Sequence, residues 1–189
     1  MTMLNGVDMK IQEVKTARKV GEFELRNDST PNKIKINYQT SDFSDDELKE
    51  GTPRVYLIVS DQEIKKIGGS ASKGGIKATM SFYENAMQGS PGRPRFIIHK
   101  LIEEELKKGK KVELYMITSP KVKAKVAGLF GYEEVEVASF KEMEDKCKQD
   151  YFNKEKKYPE WNFQENGESY PSHIEKEFME YHEQRLDHQ

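Results

Sequence analysis

The chain has 189 residues, 34% of them charged, with a formal net charge of -2 and a mean hydropathy of -0.88. That length suits one domain with an elaborated end, no stretch approaches the ~20 apolar residues of a membrane span, and the N-terminus MTMLNGVDMK lacks the apolar block of a secretory signal. The single Cys147 excludes an intrachain disulfide framework and a cysteine-rich zinc site and fits a reducing cytoplasm, and the four histidines show no metal-ligand spacing.

In chain order, the alternating stretches KIQEV, GEFELRN and NKIKINYQ between residues 10 and 40 predict strands, and SDFSDDELKEG an acidic loop or short helix. The runs Val55 to Val59 and Ile64 to Ile67 flank Ser60-Asp61-Gln62 and predict a β-hairpin. A three-residue loop centred on Asp61 places Tyr56 directly opposite Lys66, on one face of the sheet, whereas a two-residue loop puts them on opposite faces. Gly74-Gly75 leads into a helix over 76–87. A second helix, 94–108, is read from the spacing of Ile97, Ile98, Leu101, Ile102 and Leu106 and stops at Gly109. A strand is predicted at 112–117, a short helix around VKAKVAGLF within 118–131, and a strand at 132–137. Capping boxes begin further helices at Ser139, running to about Phe152, and at Ser172. The fold class is α+β: a small antiparallel sheet flanked by helices (54–162), with N-terminal strands (1–53) and a C-terminal linker and helix (163–189) added.

The small net charge conceals an uneven distribution. Residues 65–125 carry 14 basic and 5 acidic side chains, a net of +9, while 126–189 carry 8 and 16, a net of -8. Lys65, Lys66, Lys73, Lys77, Arg93, Arg95 and Lys100 make a candidate polyanion footprint. For the lysines between 107 and 111 the plainer reading is that they solvate a helix face. Arg93 and Arg95 lie in the Pro/Gly-rich stretch QGSPGRPR, a loop able to reach toward a duplex groove.

Two constellations carry chemistry. A phenol beside an ammonium has its pKa, ordinarily about 10, lowered by the positive charge, which would ready Tyr56 for proton transfer. In the helix from 139, Phe140, Met143, Cys147 and Tyr151 fall on one stripe. Glu144 lies about 55° from its centre, while Glu142 and Asp145 lie about 145° and 155° away. Glu144 alone of these carboxylates therefore points toward the sheet, where it could pair with a lysine or hold a hard cation such as Mg²⁺.

Together these residues resemble the GIY-YIG nuclease family over roughly 54–162: VYL (55–57) stands for the first strand motif and KIG (66–68) for the second, with Lys66 in place of its tyrosine. Lys77 matches the family's catalytic arginine position, with Phe82 and Tyr83 beyond it. FIIHKLIEEELKKGKKVELY is similar to a helix-then-strand unit of small phage endonucleases in the family, and Glu144 with the downstream Asn162 matches the metal-binding Glu and a following Asn. The resemblance implies metal-dependent hydrolysis of DNA phosphodiester bonds, of the type II restriction or phage kind, with Mg²⁺ (or Mn²⁺) held by Glu144. It gives Tyr56 or Lys66 as the base and Lys77 as the group that stabilises charge on phosphorus. Gly68, Lys73, Tyr83, Arg93, Arg95, His99 and Asn162 become candidate contacts to double-stranded DNA, Arg93 and Arg95 at base edges. A palindromic target would favour a homodimer. The competing class is a non-catalytic nucleic-acid binder that uses the same basic surface, with Glu144 in a salt bridge.

Overall fold

The computed structural model describes residues 9–39, 41–119, 123–136 and 140–186. The strands are β1 (Arg18–Leu25), β2 (Ile34–Tyr38), β3 (Arg54–Ser60), β4 (Glu63–Ser70), β5 (Val112–Thr118), β6 (Lys123–Gly128) and β7 (Gly131–Glu136). The helices are α1 (Asp45–Lys49), α2 (Gly75–Glu84), α3 (Arg93–Lys107), α4 (Phe140–Glu155), α5 (Phe163–Asn166) and α6 (Ser172–Leu186). The first five strands to leave β6 and β7 aside form one antiparallel sheet in the order β2-β1-β5-β3-β4, so the N-terminal strands extend the same sheet that carries the hairpin.

Apolar residues on both sides of β3 explain its place inside the sheet: all seven residues of the strand are buried. Tyr56 and Ile58 face a core completed by Ile76, Met80 and Tyr83 of α2 and Phe96, Ile97 and Leu101 of α3. Val55, Leu57 and Val59 face the opposite way, with Ile64, Ile67, Ile117 and Tyr151 of α4. The sheet is thus covered on both faces. The predicted stripe on α4 forms that second contact, through buried Tyr151 and the partly buried Met143 and Cys147.

The hairpin turn differs from the expected one. Asp61 and Gln62 have φ of 45° and 73°, the left-handed pair of a two-residue turn, and Ser60 pairs with Glu63. By itself such a turn would put Tyr56 and Lys66 on opposite faces. A bulge intervenes: Val59 pairs with Ile64 and Ile58 with Lys66, leaving Lys65 as the extra residue. Tyr56 consequently stands opposite Gly68, and Lys66 is its diagonal neighbour on the same face rather than its direct partner.

Three other expectations change. KIQEV is a single 3-10 turn at Ile11–Glu13, with only Lys10 bridged to Glu63, because the segment caps the sheet edge instead of lengthening it. The helix expected around VKAKVAGLF is strand β6, hairpinned to β7, since the alternation Lys123-Ala124-Lys125-Val126 suits a strand and Gly131, at φ 143°, ends the turn. Ser172 lies inside α6, whose first amides bond to the Pro171 carbonyl. The cap proposed at Ser139 lies outside the described residues.

The outer edge of β4 is covered rather than exposed. The Trp161 amide donates to the Lys65 carbonyl at 2.8 Å. The Asn162 side chain accepts from the Ile67 amide at 2.9 Å and donates to its carbonyl at 3.0 Å. A side-chain amide thus completes the ladder that an edge strand leaves open.

Candidate active site

The site is built on two consecutive glycines of β4. A Cβ on Gly68 would lie 2.3 Å from Cζ and 2.4 Å from the hydroxyl oxygen of Tyr56, so only glycine lets that ring lie flat across the strand. A Cβ on Gly69 would lie 2.5 Å from Oε2 and 3.1 Å from Cβ of Glu144, and 2.8 Å from the Phe140 ring. Successive residues of a strand point to opposite faces. The sheet is therefore only a backbone thick at this spot, with the Tyr56 phenol on one side and the Glu144 carboxylate on the other. The charge of that carboxylate registers on the Tyr56 and Tyr83 phenols and on the Lys66 ammonium.

On the α2/α3 side, the Tyr56 and Tyr83 hydroxyls are 2.7 Å apart at the floor of a cleft of about 230 Å³, with Ser70, Thr79, Phe82 and Arg95 among its walls. The Thr79 hydroxyl donates to the Gly75 carbonyl at 3.2 Å, so the Ser70 hydroxyl, 2.7 Å away, donates to Thr79. Arg95 enters from the first turn of α3 with its guanidinium 3.9 Å from the centre of the Phe82 ring. The adjoining loop is anchored by buried Arg54, which donates to the Glu50 and Ser72 carbonyls at 2.7 and 3.3 Å.

Burial is the largest influence on both phenols and pushes their pKa values up. For Tyr56 the neighbouring Tyr83 and Glu144 push the same way, and Arg95 opposes them. The expectation that Lys66 lowers the Tyr56 pKa is overturned: the cation near the phenol is Arg95, and desolvation outweighs it. At neutral pH Tyr56 is a hydrogen-bond donor. Lys66, half-buried between β4, α3 and the α5 loop, is pushed below the ordinary lysine range, chiefly by burial and also by Lys148, against the pull of Glu165 and Glu144. Among the described residues Lys66 makes no ion pair.

On the α4 side, Glu144 Oε1 accepts from Lys148 at 2.6 Å, and the same ammonium also pairs with Glu165 of α5. Burial works against the charge on Lys148, but its two carboxylate partners hold its pKa above the ordinary value. A groove of about 710 Å³ runs past these three groups, bounded also by Phe140, Tyr158 and Gln164.

Four expected contacts have other tasks. Lys77 projects from the side of α2 opposite Thr79, Phe82 and Tyr83, where it pairs with Asp45 and lies 5.1 Å from the centre of the Tyr38 ring. His99 is fully buried: Nδ1 donates to the Tyr83 carbonyl at 2.6 Å and Nε2 accepts from the Lys33 amide at 3.2 Å, which fixes a neutral tautomer and leaves no nitrogen for phosphate. Asn162 spends its amide on the β4 edge and on Glu165. Arg93 turns toward α6, 3.5 Å from Glu175 and 5.5 Å from the centre of the Phe178 ring. Lys73 is exposed in the turn before α2, next to Ser72 of the cleft.

Much of the basic middle of the chain is neutralised locally: Lys65 pairs with Glu63 and Glu160, Lys100 with Glu103 and Glu177, Lys108 and Lys110 with Glu105, and Lys111 with Glu22 and Glu113. Arg95 of the cleft, Lys73 beside it and Lys66, between β4, α3 and the α5 loop, make no ion pair among the described residues. Sequence reasoning missed Ser70, Thr79, Lys148 and Glu165. The pair Gly68-Gly69, unusual inside a strand, was the available signal that something approaches the backbone there.

No protein-family model and no curated protein matches the chain. Among solved structures, a mutant of EndoII from bacteriophage T4 aligns with a TM-score of 0.52 and 20% identity, over 77% of this chain and 91% of that one. Restriction endonuclease HPY188I in complex with product DNA aligns with a TM-score of 0.48 and 17% identity, over 81% of this chain and 85% of that one. What the chain shares with EndoII at this identity is the fold.

Proposed function

We propose that the chain is a metal-dependent endonuclease of the GIY-YIG type that hydrolyses phosphodiester bonds of double-stranded DNA, as a restriction or phage enzyme does. One observation carries this reading: the glycine pair at 68–69 lets the Tyr56–Tyr83 phenol pair and the Glu144 carboxylate approach each other around the edge strand β4, close enough for the Glu144 charge to act on both phenols, with Arg95 and Lys66 nearby. The fold shared with EndoII supports it.

The donor set suits a hard cation that keeps most of its water. Among the described residues no group of three or more His, Cys, Asp or Glu side chains converges, and Glu144 offers one carboxylate. That is how Mg²⁺ or Mn²⁺ is commonly held when phosphate oxygens and waters complete its shell. Held by Glu144, such an ion would supply Lewis-acid polarisation of a phosphate oxygen and would offset charge near the leaving 3′ oxygen.

The chain's own groups divide the remaining work. Of the Tyr56 and Tyr83 hydroxyls, both kept protonated by burial, one donates to the other and the second donates a hydrogen bond that orients the attacking water or the phosphate. Lys66, whose neutral amine burial favours, takes the water's proton as the new O–P bond forms. Arg95 stabilises the added negative charge on the pentacovalent phosphorus, a contribution worth roughly 10²–10³ in rate in comparable sites. The P–O3′ bond then breaks, leaving a 5′-phosphate and a 3′-hydroxyl that takes its proton from solvent.

Supercoiled plasmid incubated with and without Mg²⁺ tests the reading. Metal-dependent nicking that Glu144→Ala abolishes is the expected result. Retention of the plasmid without cleavage would identify a non-catalytic binder instead. A palindromic target would require two copies about a two-fold axis, which light scattering on the DNA complex measures.

A further inference from the structure

Building on the reading of Glu144 as the metal-holding carboxylate, we propose that Lys148 is the internal counter-ion of that site, a positioning residue that occupies Glu144 in the DNA-free protein and sets its affinity for a divalent cation. The ammonium of Lys148 bonds Glu144 of its own helix at 2.6 Å and also Glu165 on α5, so one cation joins two carboxylates from separate elements. The side chains of Lys148, Glu144 and Glu165 are only 15%, 19% and 28% exposed, so solvent screens the contacts weakly. Glu165 is itself fixed, accepting from the Asn162 amide at 3.2 Å, and Asn162 is tied to β4.

The charges decide the consequence. Lys148 offsets one of the two negative charges of Glu144 and Glu165, so the pair presents less negative charge to attract a dication. A metal ion that takes Oε1 of Glu144 displaces the ammonium, which can move wholly onto Glu165 without losing an ionic partner. Affinity in the free protein is therefore low, and a bound phosphate supplies the missing negative charge. The same pairing holds the Glu144 carboxylate at Gly69 until the exchange takes place.

Mn²⁺ binding to the full chain without DNA, followed by loss of the free-ion EPR signal, tests this. Lys148→Met keeps the aliphatic stem and removes the charge, and is expected to tighten Mn²⁺ binding about tenfold. Lys148→Arg keeps the charge and is expected to leave binding unchanged. The gain must vanish in Lys148→Met combined with Glu144→Gln. Equal affinities for wild type and Lys148→Met, with Glu144→Gln abolishing binding, would overturn the counter-ion role while the nuclease reading stands. Mn²⁺ binding unaffected by Glu144→Gln would overturn the assignment of Glu144 and this inference with it. Thermal unfolding of each variant confirms that folded protein is compared.

Discussion

Replacing Gly69 with alanine probes the geometry on which the site rests. The new methyl group would sit 2.5 Å from Oε2 of Glu144, 2.8 Å from the Phe140 ring and 3.1 Å from Glu144 Cβ, where ordinary contact begins near 3.4 Å. The carboxylate end can swing away, but the Phe140 ring and Glu144 Cβ belong to the first turns of α4 and move only with the helix. A displacement of about 0.5 Å is required, and overpacking of this kind costs about 1–3 kcal/mol. Since a 1 Å misplacement in a catalytic constellation can cost ~10²-fold, a rate loss of roughly tenfold is expected. Initial rates of plasmid nicking at saturating Mg²⁺, measured beside the thermal unfolding midpoint, provide both readouts. Cleavage by Gly69→Ala at the wild-type rate with an unchanged midpoint would refute the claim that the glycine seats the carboxylate.

Other substitutions separate the groups of the site. Arg95→Met should slow plasmid nicking by ~10²–10³, whereas Lys77→Met, which breaks only the contacts to Asp45 and Tyr38, should leave the rate close to wild type. Lys66→Met should slow nicking by ~10²–10⁴. It should also make the fold more resistant to urea at neutral pH. With the folded-state pKa of Lys66 below its unfolded value, the unfolded chain binds more protons between the two, so stability rises with pH through that window and the burial penalty is complete below it. The methionine variant removes both the penalty and this alkaline rise, and urea titrations at neutral and alkaline pH check the sign. Asn162→Leu strips the Ile67 amide and carbonyl of their partners, at about 1–3 kcal/mol each. A chain of this size should then lose roughly 5–15 °C in its unfolding midpoint, measured by circular dichroism.

Local pattern carried part of this site and missed the rest for identifiable reasons. The direction of Glu144 was legible because a helix repeats every 3.6 residues, so the stripe Met143, Cys147, Tyr151 fixes where its neighbour points. The hairpin was legible from two apolar runs, but its register was not. The extra residue at Lys65 reflects how β4 meets Trp161 and Asn162, nearly a hundred residues away, and no local signal marks it. The stretch that forms β6 also suits a helix by pattern, because a short apolar run fits either period. The resemblance implies substrate contacts for His99 and Asn162, whereas each satisfies backbone groups of distant segments.

By itself the sequence determined the hairpin, the helices from the Gly-Gly pair and from Pro94, and the face of α4 that carries Glu144, because these follow from periodicities of a few residues along one chain. Only the tertiary structure decided that Arg95 rather than Lys77 stands with the phenols, that desolvation raises Tyr56 where a nearby charge was expected to lower it, and that Lys148 sits between two carboxylates. Which cation meets which anion, and how much water remains around them, depends on the packing of whole helices against the sheet. That is a sum over contacts distant in sequence, which no local pattern records.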